Sequence, residues 1–393
     1  MSRAFLFILD SVGIGGAPDA AKFGDEGANT LGHIADHRAL KIPNLISLGV
    51  AKALQAASGS AHGLDVEATV KGGWGFATEV SHGKDTITGH WEIAGVPLKF
   101  DWGYFPDTTP TFPKSFTDEF IRQAKLPGIL GDKHASGTAI IEELGVEHMQ
   151  SGKPIVYTSA DSVIQIAAHE ESFGLQRLYE ICKIARELSY ALNIGRVIAR
   201  PFAGTTAINF RRTGNRKDYA VLPPSPTLLD VLSIAGRDVV SIGKIGDIFA
   251  HSGTGREIKV AGHDLLFQTT LENMDGLKDG GFLMTNFVDF DTEHGHRRDV
   301  QGYGALLEHF DAQLPQVFSK LRDGDLLVIT ADHGNDPTWK GTDHTRECIP
   351  VLTCAKDMKS TAFGGRNSFA DIGQSIASHL HVGPLAAGTA WSV

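Results

Sequence analysis

The sequence predicts an α/β fold in which two flanking segments build one sheet and a middle segment forms an inserted domain. Three observations predict it. Short apolar runs occur towards both ends of the chain, and several close on acidic or glycine-containing segments. Helical periodicities separate the later runs. Proline-rich stretches bracket the middle.

Residues 4–9 form a continuous apolar run of strand length, the pattern of a strand covered on both faces. Asp10 stands at its end, and a turn containing Gly13, Gly15, Gly16 and Pro18 follows. Similar runs recur at 239–242 (closed by Gly243), 282–287, 326–330 and 349–353. Between them, residues 304–321 place Leu306, Phe310, Leu314, Val317 and Leu321 at helical spacing, with Pro315 a candidate kink. Ser368 is placed to cap a helix running to Leu380. Strands alternating with helices make a layered α/β sheet.

The middle differs. Residues 97–112 are rich in proline and aromatics and read as a crossing linker, and Pro223, Pro224 and Pro226 punctuate the return. Candidate helices at 115–125, 138–144 and 175–192 and strands at 154–158 and 196–200 lie between. The expected division is a core built from 1–99 and 222–393, with an α+β insert over 100–221.

Composition narrows the function classes. The chain has 393 residues, 42% hydrophobic and 21% charged, enough for a sizeable core, and a formal net charge of -10. With no long Lys/Arg run, nucleic acid and anionic membrane surfaces are not expected partners. Cys182, Cys348 and Cys354 form no CxxC pair, and an odd count suits a reducing compartment, here the cytoplasm. The N-terminal apolar run is short and ends at Asp10, unlike a signal peptide, and no run reaches the length of a membrane span.

The chemistry gathers at strand ends. Asp332 and His333 follow the run 326–330, and His344 comes eleven residues later. Asp291 and His296 follow the run 282–287, and Asp10 repeats the pattern. Three carboxylates and three imidazoles after three strands suit a pair of borderline divalent ions, Mn²⁺ or Zn²⁺, able to hold both oxygens of an in-line phosphoryl displacement. Any one such Asp is more often a cap, and any one His a surface or core residue; the joint pattern carries the reading. Asp289, Asp299, Asp336 and Asp343 are alternative ligands. The turn 83–92 holds Thr86 and Thr88. A threonine hydroxyl there is usually a cap, and it becomes a nucleophile only beside a cation that favours its ionised form. Arg196, Arg200, Arg211, Arg212 and Lys244 could meet a phosphate, or simply form a solvated face. Asp161, after the strand 154–158, could accept sugar hydroxyls or cap a helix.

Taken together, the segments FxxDSVGIGxxPD, KDTxTGHWE, YTSADSVxQIAAHE, GRVIARPF, VDFDxxxGHRRD and TADHGNDPxxxGTDHTRE resemble the phosphopentomutase family of the alkaline phosphatase superfamily, from Phe7 to about Arg346. The resemblance implies an alkaline-phosphatase-like core sheet with helices on both faces and an inserted cap. It implies two Mn²⁺ ions, one held by Asp10, Asp332 and His333, the other by Asp291, His296 and His344. It makes Thr86 the nucleophile, with Thr88 the near alternative, and gives Asp161, Arg196, Arg212 and Lys244 to substrate. The implied activity is interconversion of ribose 1-phosphate and ribose 5-phosphate, or the 2-deoxy pair, through a phosphothreonine primed by a pentose or hexose bisphosphate. The metal constellation alone leaves open a phosphatase, a phosphodiesterase or a cofactor-independent phosphoglycerate mutase. A non-catalytic metal- or sugar-phosphate-binding protein is the reading from another class, but no ligand or nucleophile has been lost.

Overall fold

A computed structural model describes residues 2–159 and 162–391. The chain divides into two compact units, one of Met1–Phe100 with Pro223–Val393 and one of Asp101–Leu222. In chain order the strands are β1 (Ala4–Leu9), β2 (Gly73–Ala77), β3 (Leu130–His134), β4 (Ile155–Thr158), β5 (Val163–His169), β6 (Arg196–Ala203) and β7 (Arg211–Arg212). There follow β8 (Lys217–Ala220), β9 (Val239–Ile242), β10 (Arg256–Ile258), β11 (Phe282–Phe287), β12 (Leu326–Thr330), β13 (Ile349–Cys354) and β14 (Thr361–Arg366).

The first unit is built on one eight-stranded sheet in the order β10-β9-β11-β1-β12-β13-β2-β14. Every residue of β1, β11 and β12 is buried. Successive strand side chains point to opposite faces, so full burial means that both faces are covered. β1 pairs in parallel with β11 on one side and β12 on the other, with Leu9 opposite Phe287 and Ile8 opposite Thr330. Three carboxyl ends therefore open at one edge of the sheet, where α/β proteins place ligands.

Three strands escape the apolar-run pattern. β2 (GWGFA) and β14 (TAFGGR) carry glycines where a side chain would collide: a Cβ on Gly75 would lie 2.5 Å from the Gly364 carbonyl oxygen. β10 is only three residues long. β13, which matches the buried-strand pattern, runs antiparallel to both β12 and β2. The helix predicted over 304–321 starts earlier, at Val300, because Asp299 accepts from the Gly302 N–H as its cap; it runs to Lys320 with Pro315 inside. The helix near the end spans Ala370–His379, and Ser368 Oγ accepts from the Ala370 N–H at 3.1 Å.

The second unit has its own sheet, β3-β4-β5-β6-β7, with β8 pairing β6. One core gathers Phe116 and Phe120, from helix Lys114–Gln123, with Ile181 and Ala185, from helix Leu175–Ser189. A second gathers Ile140, Tyr157 and Phe202 beneath helix Gly137–Ser151. Among the described residues, no helix is long and apolar enough to cross a membrane.

Candidate metal centre

The carboxyl ends of β1, β11 and β12 deliver the acidic residues predicted there. Asp10 and Asp332 are fully buried and Asp291 nearly so. Asp10, Asp332 and His333 each offer a ligand atom within 4.8 Å of the others, and Asp291, His333 and His344 do the same. His333 thus lies in both groups, its ring 4.0 Å from that of His344. His296, on the turn after β11, brings Nε2 to 3.1 Å from Asp291 and 3.2 Å from His344 Nε2. All six residues named from the strand-end pattern therefore stand together.

The electrostatics of this cluster fit a cation. Burial and the neighbouring carboxylates of Asp332 and Asp291 push Asp10 well above the usual carboxylate range. Burial works against a charged His333, but Asp332, Asp10 and Asp291 outweigh it and raise its pKa to about 9. Asp10 Oδ1 and Asp332 Oδ2 are buried and accept no hydrogen bond. His90 Nδ1 lies 3.0 Å from Asp332 Oδ2 but bonds the Thr86 carbonyl at 2.8 Å. Buried anionic oxygens without a donor are costly unless a cation meets them.

Residues that the motif reading did not single out hold these ligands in place. Asn286 Nδ2 donates to Asp10 Oδ2 at 2.9 Å, and Asn335 Nδ2 to Asp291 Oδ1 at 2.7 Å. The Ser11 N–H donates to Asp332 Oδ1 at 3.0 Å from a left-handed backbone, φ 71°. Such strain, about 1–3 kcal/mol, persists only where the surroundings over-determine it. Arg298 bonds Asn335 Oδ1, the Gly341 carbonyl (2.7 Å) and the Asp343 carbonyl (2.8 Å), tying Asp291 to the loop that carries His344. Ser11, Arg298 and Asn335 sit inside the family motifs and Asn286 just before one, yet an Asn or Arg beside a ligand has no spacing signal of its own. The alternative acids are occupied elsewhere or lie outside both groups. Asp299 caps a helix, and Asp336 bonds His33 and the Asn29 N–H. Asp343 lies 3.4 Å from Lys84. Burial raises the pKa of Asp289.

The two threonines differ sharply. Both lie on a helix, Thr86–Ile93, that Asp85 caps. Thr88 completes the capping box, accepting from the Asp85 N–H and donating to the Asp85 carbonyl at 2.9 Å. Thr86, the first helical residue and 8% exposed, brings Oγ1 to 3.3 Å from His333 Nε2. Gly89 lets this helix approach β12: a Cβ there would sit 2.0 Å from the Asp332 carbonyl oxygen. Gly89→Ala should lift the helix off the strand end and cost about 10²-fold in turnover, the usual cost of misplacing a reacting group by about 1 Å. Steady-state kinetics beside metal analysis will check this; turnover within twofold of wild type would refute the close-approach argument.

The remaining predicted residues are less convergent. Lys244 follows β9 and is exposed; its charge offsets a small part of the rise in the Asp10 pKa. Asp161 lies outside the described residues. In the second unit, Arg196 opens β6, whereas Arg212 pairs opposite Phe202 near its other end. Six strand residues separate these levels, about 20 Å, so the two arginines do not share one contact point. Arg212 instead donates to Thr138 Oγ1 at 2.7 Å, beside the N-terminus of helix Gly137–Ser151, and the Tyr157 hydroxyl there is buried without a partner. Arg200 donates to Gln165 at 3.0 Å.

A buried Asp/His donor set at the carboxyl edge of a mostly parallel sheet defines a metalloenzyme, and the chain matches the family model described as Metalloenzyme superfamily over residues 2–384. It is 58% identical over 405 residues to a phosphopentomutase of Methylorubrum extorquens, covering 100% of both chains. It is 57% identical over 399 residues to a phosphopentomutase of Chromohalobacter salexigens, covering 99% of this chain and 96% of that one. The chain belongs to the phosphopentomutase family and is an isomerase. The PH0037 protein from Pyrococcus horikoshii superposes more loosely, with a TM-score of 0.49 at 13% identity over 96% of this chain and 97% of that one, and adds nothing to the assignment.

Proposed function

We propose that the chain interconverts ribose 1-phosphate and ribose 5-phosphate, and the 2-deoxyribose pair, with Thr86 carrying the phosphoryl group between the two positions. The observation that carries this is the Thr86 hydroxyl at the edge of the buried Asp/His cluster, 3.3 Å from His333, while Thr88 is spent on the helix cap. The family relation supports the pentose phosphate.

The donor set fits two divalent ions, with Mn²⁺ the proposed metal. Asp10, Asp332 and His333 would hold one beside Thr86, and Asp291, His296 and His344 the other. When bound, such ions offset charge on the transferring phosphoryl group and ease ionisation of the hydroxyl. The protein does the rest. Phosphorylated Thr86 gives its phosphoryl group to the free hydroxyl of a pentose monophosphate: the bond from phosphorus to the Thr86 oxygen breaks, a bond to the sugar oxygen forms, and the sugar hydroxyl proton is released. The resulting bisphosphate turns end for end. Thr86 then attacks the other phosphate, and the monophosphate leaves with its phosphate moved. A pentose or hexose bisphosphate would prime the first cycle. Lys244 and the arginines Arg196 and Arg212, with Asp161, are proposed to meet substrate; Arg212 beside a helix N-terminus suits a phosphate. The three unpaired cysteines fit a cytoplasmic setting.

The test is ribose 1-phosphate with Mn²⁺ and a catalytic amount of bisphosphate. Ribose 5-phosphate is the expected product; inorganic phosphate with free ribose would replace the mutase reading by a phosphatase. Separability of the two ions gives a second check. His344→Ala should leave Asp10, Asp332 and His333 able to hold one ion, so metal analysis of that variant should show a reduced but non-zero content. An unchanged content would remove His344 from the ligand set.

A further inference from the structure

Away from the metal centre, three further side chains converge on the outer face of the first unit. His263 and Asp264 open the helix His263–Gly276, and His309 lies on the neighbouring helix Val300–Lys320. Each offers a ligand atom within 4.8 Å of the other two. His309 Nε2 lies 2.6 Å from Asp264 Oδ1. Gln313, one turn after His309, approaches His263 Nε2 at 3.0 Å and Asp264 Oδ1 at 3.2 Å.

We infer that His263, Asp264 and His309 form a third metal site, selective for an imidazole-preferring ion of the Zn²⁺ class and distinct from the Asp10/Asp291 centre. As an ion pair alone, Asp264 and His309 would contribute little, because their side chains are 78% and 49% exposed. His263 changes the picture. It is 8% exposed and packed among Phe267, Phe287, Phe290 and Phe310, with ring centroids 5.7–6.3 Å away. Its orientation is therefore fixed in advance. Burial holds its pKa below the ordinary value, so the ring is neutral, as a ligand must be. Its Nδ1 is buried with no hydrogen-bond partner, whereas Nε2 meets the polar groups of the cluster. Gln313 Oε1 can only accept, so without an ion His263 Nε2 carries the proton and donates to it; an ion at Nε2 would displace that proton to Nδ1, which lies among the electron-rich ring faces.

Two imidazoles and a single carboxylate favour Zn²⁺ over Mn²⁺ or Mg²⁺, which prefer oxygen-rich sets. Ligand bonds of about 2.0–2.1 Å put neighbouring donors about 3.3 Å apart in a tetrahedron. The observed span of up to 4.8 Å closes by rotation of the two exposed side chains, Asp264 and His309. Gln313 Oε1 stands within reach of the fourth position. An ion here would tie two helices together, one of which begins just after the turn that carries Asp291. The site does not depend on the proposed mutase mechanism.

Equilibrium dialysis of the full chain against Zn²⁺, with bound metal measured by mass spectrometry, tests the inference in wild type, His309→Ala and Asp264→Asn. Each substitution lies at an exposed position. Bound Zn²⁺ should fall by one equivalent in both variants, or its affinity for that equivalent by about tenfold or more. Turnover with Mn²⁺ should stay within twofold of wild type, and the rise in melting temperature that Zn²⁺ gives wild type should shrink. Identical zinc isotherms for wild type and both variants would overturn the site. So would zinc loss confined to His344→Ala, since all bound zinc would then belong to the metal centre.

Discussion

Thr86→Ala is expected to abolish interconversion of the two pentose phosphates, lowering turnover by about 10⁴-fold or more, as removal of a covalent nucleophile does in other enzymes. Thr86 is the first residue of its helix, and its hydroxyl makes a single described side-chain contact, at 3.3 Å to His333. Losing it removes little packing and no cap. The variant should therefore fold, bind divalent metal and bind sugar phosphate, yet have no atom to hold the phosphoryl group between transfers. Thr88→Ala is the informative partner. It breaks the capping box and should cost about 1 kcal/mol of helix stability while keeping measurable mutase activity. Wild type incubated with a pentose bisphosphate should gain one phosphate on Thr86 by peptide mass spectrometry. Label found only on Thr88, or substantial turnover by Thr86→Ala, would show that the other threonine is the nucleophile. Absence of any phosphorylated enzyme would replace the covalent route by direct transfer.

Removal of divalent metal is expected to have an effect as large. Without a cation, Asp10, Asp332 and Asp291 repel one another across a buried site, and the transferring phosphoryl group would enter a field of its own sign. Loss of the several kcal/mol that metal ions contribute to such transition states corresponds to a rate fall on the order of 10³-fold or more. Dialysis against a chelator should bring turnover to background, and added Mn²⁺ should restore it. Asp332→Asn should reproduce the loss without restoration at Mn²⁺ levels that saturate wild type, because one buried oxygen that no protein donor meets is replaced by an amide. Full activity in metal-free protein would remove the ions from catalysis.

Much of the fold was legible because both faces of the central strands are covered. β1, β11 and β12 can then carry apolar residues at every position, and an acid at the strand end stands out. The glycine strands β2 and β14 were not legible. Their role is to let backbones approach, and an absent side chain leaves no periodic signal. Nor was the supporting role of Asn286, Asn335 and Arg298, which depends on what lies opposite them in space. Arg196 and Arg212 illustrate the reverse. The sequence offers each as a candidate phosphate partner without placing it, and the antiparallel return of β7 puts the two at different ends of β6.

The sequence by itself determined the residue types and their strand-end placement, which follow from local periodicity and spacing, and its motifs carried the family resemblance. Only the tertiary structure decided that Asp10 meets Asp332 and Asp291, about three hundred residues away. That follows from β1 inserting between β11 and β12 in parallel register, a pairing chosen by burial of whole strand faces and not by any local preference. It also separated the two threonines two residues apart: the helix that begins at Thr86 commits Thr88 to its cap and leaves the Thr86 hydroxyl at the edge of the cluster.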